Sequence, residues 1–134
     1  MTEKQKFLIT TAINYTNGSP HIGHCYEAII TDFIARAKRI QGRDDVFFQT
    51  GTDEHGLKIA KTAESRGIKP IELCDQYAAE FEDLANELLI DYDNFIRTTN
   101  PDHQIEVQEI FQTLLKSDLI YLGEYEGWYH VREE

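Results

Sequence analysis

The chain has 134 residues, a length that suits one domain with a real core and excludes two. Its 13 Lys and Arg against 24 Asp and Glu leave a formal charge of −11. With no basic run to offset that charge, tight autonomous binding of RNA or DNA is not expected.

No apolar run approaches the roughly 18 residues of a membrane helix. The opening MTEKQKFLITTA goes almost directly into a strand pattern, so the reading is no membrane insertion, no signal peptide and a cytoplasmic location. KFLITTAI (6–13) reads as a buried strand and the polar NYTNGSP behind it as a loop. Apolar residues then recur at Tyr26, Ile29, Ile30, Phe33, Ile34, Ala37 and Ile40, a helical spacing that Gly42 closes as a C′ residue. DVFFQT (45–50) predicts a second strand, and GTDEHG (51–56) the loop after it.

Helical pattern returns in HGLKIAKTAESRG and stops at Gly67. A further helix opens with Pro70 at N1 and carries Ile71, Leu73, Cys74, Tyr77, Phe81, Leu84 and Leu88 on one face. DNFIRTT (93–99) predicts a third strand, and Asn100 with Pro101 an N-cap and N1 pair for a last helix. The tail LIYLGEYEGWYHVREE alternates aromatics around two glycines and reads as the start of a β-ribbon. Cys25 and Cys74 fall in predicted helices without a CxxC or a neighbouring histidine cluster. They are expected as reduced thiols, and no metal ligand is expected in this chain.

Strand, loop and helix in alternation predict an α/β fold with a parallel sheet. A sheet of about three strands is small, and a terminal ribbon would have nothing to pack against, so the chain reads as a piece of something larger.

In open α/β sheets ligands bind beyond the carboxyl ends of the strands, where the loop NYTNGSPHIGH places His21 and His24 around Gly23. A zincin would need HExxH and a third ligand, and the spacing here is i, i+3. Gly18 to Gly23 match the glycine spacing of a P-loop, but His24 stands where its lysine belongs and Cys25 where its hydroxyl belongs. A GxGxxG fingerprint is absent. The remaining readings are imidazole donors for nucleotide phosphates at a helix N-terminus, or a pair of solvated histidines.

PHIGH resembles the HIGH signature of class I aminoacyl-tRNA synthetases and, more loosely, that of the HxGH nucleotidyltransferases. The resemblance implies a Rossmann-like parallel sheet in which His21 and His24 contact ATP phosphates as the catalytic pair, while Gly23 leaves room for the adenine. TNGSPHIGH, GTDEHG, FIRTT and YLGEYEGWY, in that order, look like a methionyl-tRNA synthetase over essentially all 134 residues. Carried over position by position, Ala12, Ile13 and Tyr15 line the methionine pocket, Asp53 binds the substrate ammonium and His55 contacts the adenosine end of ATP. A small, an aliphatic and an aromatic residue suit an unbranched thioether. Asn14 departs from the Pro or Tyr more usual at its position. Glu27, one turn in from His24, either reaches the site or lies with Asp32 on a solvated helix face. His103 and His130 are read as structural or exposed.

The resemblance further implies methionyl-adenylate formation from methionine and ATP with magnesium, then transfer to tRNA by the complete enzyme. Residues 1–118 would be the N-terminal half of the catalytic domain and 119–134 the start of a connective insertion. A KMSKS-type loop, the family's zinc-binding cysteines and the anticodon-binding region would lie beyond Glu134, leaving this piece inactive alone. The alternatives are a truncated paralogue serving as a binding module and a small HxGH nucleotidyltransferase.

Overall fold

The computed structural model of the chain describes residues 5–42 and 44–128. One fully parallel sheet is built on β3 (Asp44–Asp53). Strands β1 (Gln5–Thr10) and β2 (Asn14–Tyr15) run along one side of it and β4 (Asn94–Arg97) along the other. Thr10 pairs with Gln49 and Asn14 with Thr52, so Thr11, Ala12 and Ile13 face only Thr50 and Gly51. That one-residue excess is a bulge. The predicted first strand is thus interrupted and resumes inside the predicted loop.

The second strand runs three residues beyond its expected end, so Gly51, Thr52 and Asp53 belong to β3 rather than to a loop. Gly51 permits the tight approach of β4, since a Cβ there would fall on the Ile96 carbonyl. Side chains alternate across β3. Phe48, Thr50 and Thr52 are buried beneath helices, whereas Phe47 is 45% exposed on the other face.

The helices are α1 (Ile22–Gln41), α2 (Leu57–Arg66), α3 (Pro70–Glu87) and α4 (Pro101–Lys116). Gly42 and Gly67 end α1 and α2 in the left-handed region, each at φ 67°. Pro70 and Pro101 stand in the first turns of α3 and α4, and the Asn100 side chain accepts the Asp102 N–H at 2.9 Å. Successive right-handed crossovers in one direction put α1 and α3 on the same face of the sheet. They are joined there through the loop before β4: Arg36 donates to the Leu89 carbonyl at 2.7 Å, and the Asp91 N–H donates to Asp32 at 2.9 Å. Ile59, Ala63, Leu73, Cys74 and Tyr77 form a core cluster between α2 and α3, with Ile68 packed against it.

The apolar spacing that predicts α1 does not mark its buried face. Thr31, Asp32 and Ala35 are buried, while Tyr26 and Phe33 are 69% and 70% exposed. Small Ala35 lets the helix approach β3, and Asp32 is matched by Arg36 at 2.6 Å besides the Asp91 N–H. Residues 119–128, within the expected β-ribbon, form no strand, because a ribbon needs a second strand to take its backbone hydrogen bonds. His130 and the rest of the expected ribbon lie outside the described residues. Cys25 and Cys74 are free thiols. No helix among the described residues is long and apolar enough to cross a membrane.

Candidate active site

The chain leaves β2 and reaches His21, the N-cap of α1. His21 Nδ1 accepts the Gly23 N–H and His24 Nδ1 accepts the His21 N–H, both at 3.1 Å. An Nδ1 that accepts must hold a lone pair, so a neutral ring carries its proton on Nε2. The two rings stack with centroids 3.7 Å apart and 23° between planes. Gly23 keeps this packing possible, because a Cβ there would sit 2.9 Å from the His21 ring. The result is a pair of Nε2–H donors at the positive end of the α1 dipole, an arrangement suited to phosphate oxygens.

His24 also meets the edge of Phe81 from α3, with centroids 5.0 Å apart at 78°. Its pKa lies below the usual imidazole value, first because burial disfavours the charged ring and second because of repulsion from His21, while Glu27 pulls the other way. Favouring the neutral ring on folding contributes stability that is complete above the unfolded imidazole range of about 6.5 and is lost as pH falls through the depressed folded value. Titration of the His24 C2–H resonance is therefore expected to show a midpoint below that of free histidine. A midpoint above it would mean that attraction to Glu27 outweighs burial and the repulsion from His21.

The bulge lies next to this helix end. Glu27 accepts the Ala12 N–H at 2.8 Å and so ties the bulge to the first turns of α1. That bond gives Glu27 a partner within the chain rather than bare solvent. Ala12 and Ile13 are exposed, and Tyr15 pairs with Asp53 across the strand ends. Tyr15 also approaches Gly56, where a Cβ would stand 3.5 Å from its hydroxyl, and Lys58 lies 5.8 Å from its ring centroid. The first and second βα connections therefore meet at Tyr15.

Asp53 closes β3, half-buried, with its Oδ1 3.4 Å from the His55 N–H. Together with His55, Thr98, His103, Gln104 and Val107 it lines an open cleft of about 330 Å³. His24 faces instead a void of about 30 Å³ bordered by Asn14, Phe48 and Phe81. Six of the expected residues fall in two groups at the carboxyl ends of the strands, while Ala12 and Ile13 stand exposed in the bulge. His21, Gly23 and His24 form one at the helix start, and Tyr15, Asp53 and His55 form the other around the strand ends.

Next to Asp53 lies a network that sequence reasoning missed. Glu54, 4% exposed, accepts from Arg97 Nε at 2.6 Å, from the Thr52 hydroxyl at 2.8 Å and from the Thr99 hydroxyl. Arg97 reaches on to Asp75 of α3 at 2.6 Å, and the Glu54 carboxylate above all holds its guanidinium protonated beyond the usual range. Cys74 donates its thiol to the Glu54 carbonyl at 3.7 Å and accepts from Thr16, and burial pushes its pKa up. The available signal was the charge inside FIRTT, since an arginine in a short apolar strand needs an acidic partner. His103, expected to be merely structural or exposed, borders the cleft.

The model of the family described as tRNA synthetases class I (M) matches residues 7–134. The Rhizobium meliloti methionine–tRNA ligase is 48% identical over 134 residues, which make up 100% of this chain and 26% of that protein. The ligase of Listeria monocytogenes serovar 1/2a is 50% identical over 132 residues, 98% of this chain and 20% of that protein. The structure of Mycobacterium tuberculosis methionyl-tRNA synthetase in complex with methionyl-adenylate matches with a TM-score of 0.90 at 45% identity, over 96% of this chain and 25% of that one. The chain spans about a quarter of the length of these relatives. Family model, curated relatives and fold agree, and the chain belongs to the class I tRNA synthetases of the methionine type.

Proposed function

We propose that this chain is the N-terminal part of the catalytic region of a methionine–tRNA ligase and contributes to methionyl-adenylate formation. The observation that carries the reading is the engagement of both imidazole Nδ1 atoms by backbone N–H groups, which leaves two Nε2–H donors stacked at the start of α1. Methionine's carboxylate oxygen attacks the α-phosphorus of ATP, the bond to the bridging oxygen breaks, and pyrophosphate leaves. No protein nucleophile is required, so the chain's work is positioning and charge stabilisation. His21 and His24 donate to phosphate oxygens, and Gly23 gives the adenine access to the backbone. Ala12, Ile13 and Tyr15 receive the methionine side chain, Asp53 its ammonium, and His55 faces the adenosine end.

Among the described residues no three His, Cys, Asp or Glu side chains gather as a metal site. Magnesium is assigned to the ATP phosphates. Residues 1–118 are assigned to the catalytic half and 119–134 to the start of the connective insertion. The tRNA partner, a KMSKS-type loop and any zinc are assigned to other parts of the ligase. The Nε2–H donors also support a polyanion site on a strongly acidic chain: the favourable field is local, set by the helix end.

The test is ATP–pyrophosphate exchange by a full-length ligase carrying this stretch. Exchange is expected with methionine and to be absent with residues 1–134 alone. Exchange that depended on another amino acid, or none with methionine, would defeat the reading.

A further inference from the structure

On the basis of the adenylation site just proposed, we infer that Glu54 is a positioning residue for methionine. Its clamp by Arg97, Thr99 and Thr52 sets where Asp53 and His55 stand. The motif FIRTT supplies two of the clamp's donors, Arg97 and Thr99, and this clamp is the role the geometry gives them.

Asp53 and Glu54 are consecutive and point to opposite sides of the sheet, as successive residues of an extended chain do. Asp53 borders the cleft, whereas Glu54 turns inward and is 4% exposed. The planar peptide between them makes the orientation of one a constraint on the other. Glu54 leaves none of its polar groups idle. Its N–H donates to the Thr98 hydroxyl at 2.9 Å, and its carbonyl accepts the Cys74 thiol. Its carboxylate takes Arg97, Thr52 and Thr99.

The flanking residues are tied to the same segment. The Thr98 N–H donates to the Thr52 carbonyl at 3.3 Å, and His55 Nε2 meets the Thr98 carbonyl at 3.2 Å. Residues 52–55 are therefore stapled to residues 97–99, and Arg97 extends the staple to Asp75 on α3.

A salt bridge this buried gains little stability over a well-packed apolar filling. What it supplies is direction: three donors fix one carboxylate in one rotamer. A carboxylate that must meet an ammonium needs that accuracy, because a displacement of about 1 Å can cost on the order of 100-fold in rate.

The test uses methionine-dependent ATP–pyrophosphate exchange in a full-length ligase carrying this stretch, with thermal unfolding measured in parallel. Glu54→Gln is expected to raise the KM for methionine about tenfold or more and to leave the KM for ATP within about twofold. Thr99→Val should move methionine KM in the same direction by a smaller factor, and Thr99→Ser, which keeps the hydroxyl, should restore it. The threonine pair decides the matter if Glu54→Gln does not fold.

In the Asp53→Asn background Glu54→Gln should add almost nothing, since coupled residues are non-additive. Lowered thermal stability with unchanged methionine KM would make the network structural only and overturn the inference, as would full additivity with Asp53→Asn. If Asp53→Asn raises methionine KM and Glu54→Gln does not, only the positioning role is lost. If Asp53→Asn itself leaves it unchanged, the site assignment fails and the inference with it.

Discussion

His24→Ala lowers the rate of methionyl-adenylate formation by roughly 10²–10³-fold, the range for one preorganised donor to developing charge, and changes methionine binding far less. In the transition state negative charge grows on the phosphate oxygens, and a donor already aimed at them needs no reorganisation when that happens. Three contacts preorganise His24: Nδ1 accepts the His21 N–H, the ring stacks on His21, and Phe81 meets its edge. Alanine removes the donor and also the acceptor that caps the His21 N–H, so a helix-capping loss of about 1 kcal/mol accompanies the kinetic effect. The two are separable. A capping loss shows in thermal unfolding, and a lost donor in single-turnover adenylation at saturating methionine and ATP. Equal losses in adenylation rate and methionine affinity would argue against a phosphate role.

Asp53→Ala is expected to act on the other substrate. The predicted loss is about 2–5 kcal/mol in methionine use, the usual range when one partner of a desolvated charge pair is removed. Because Asp53 is half-exposed in the cleft, the lower part of that range applies. At about 1.4 kcal/mol per factor of ten, even 2 kcal/mol is roughly a 30-fold fall in kcat/KM for methionine, with the KM for ATP barely changed. Steady-state exchange kinetics with each substrate varied in turn reads the two effects separately. A variant with normal methionine kinetics would remove Asp53 from the ammonium site. Set against His24→Ala, the pair forms a cross-check, since one variant should injure the chemical step and the other the amino acid.

Most of the elements were legible because their punctuation is local. Gly42 and Gly67 sit in left-handed turns that a side chain disfavours, and Pro70 and Pro101 stand in first turns where a missing N–H costs nothing. The histidine pair was equally visible, since spacing alone puts His24 one turn from an N-cap His21. Less legible was the division between strand and loop. The bulge at Thr11–Ile13 and the extension of β3 to Asp53 depend on pairing with a strand distant in sequence, and no local periodicity reports that register.

Helix α1 shows the same limit. Its apolar residues follow a helical period, yet the face that meets β3 is the one with Ala35 and the paired Asp32.

By itself, then, the sequence determined the alternating α/β plan, the helix boundaries and the motifs that mark the family, because each is written in consecutive residues. Only the tertiary structure decided that Glu27 holds the bulge, that His24 leans on Phe81, and that Glu54 is locked to Thr99 and to Arg97, which in turn holds Asp75. Those contacts join residues from 15 to 57 positions apart, as the pairs Ala12–Glu27 and His24–Phe81 show. A chain reveals such partners only once its parallel crossovers have brought the carboxyl ends of its strands together.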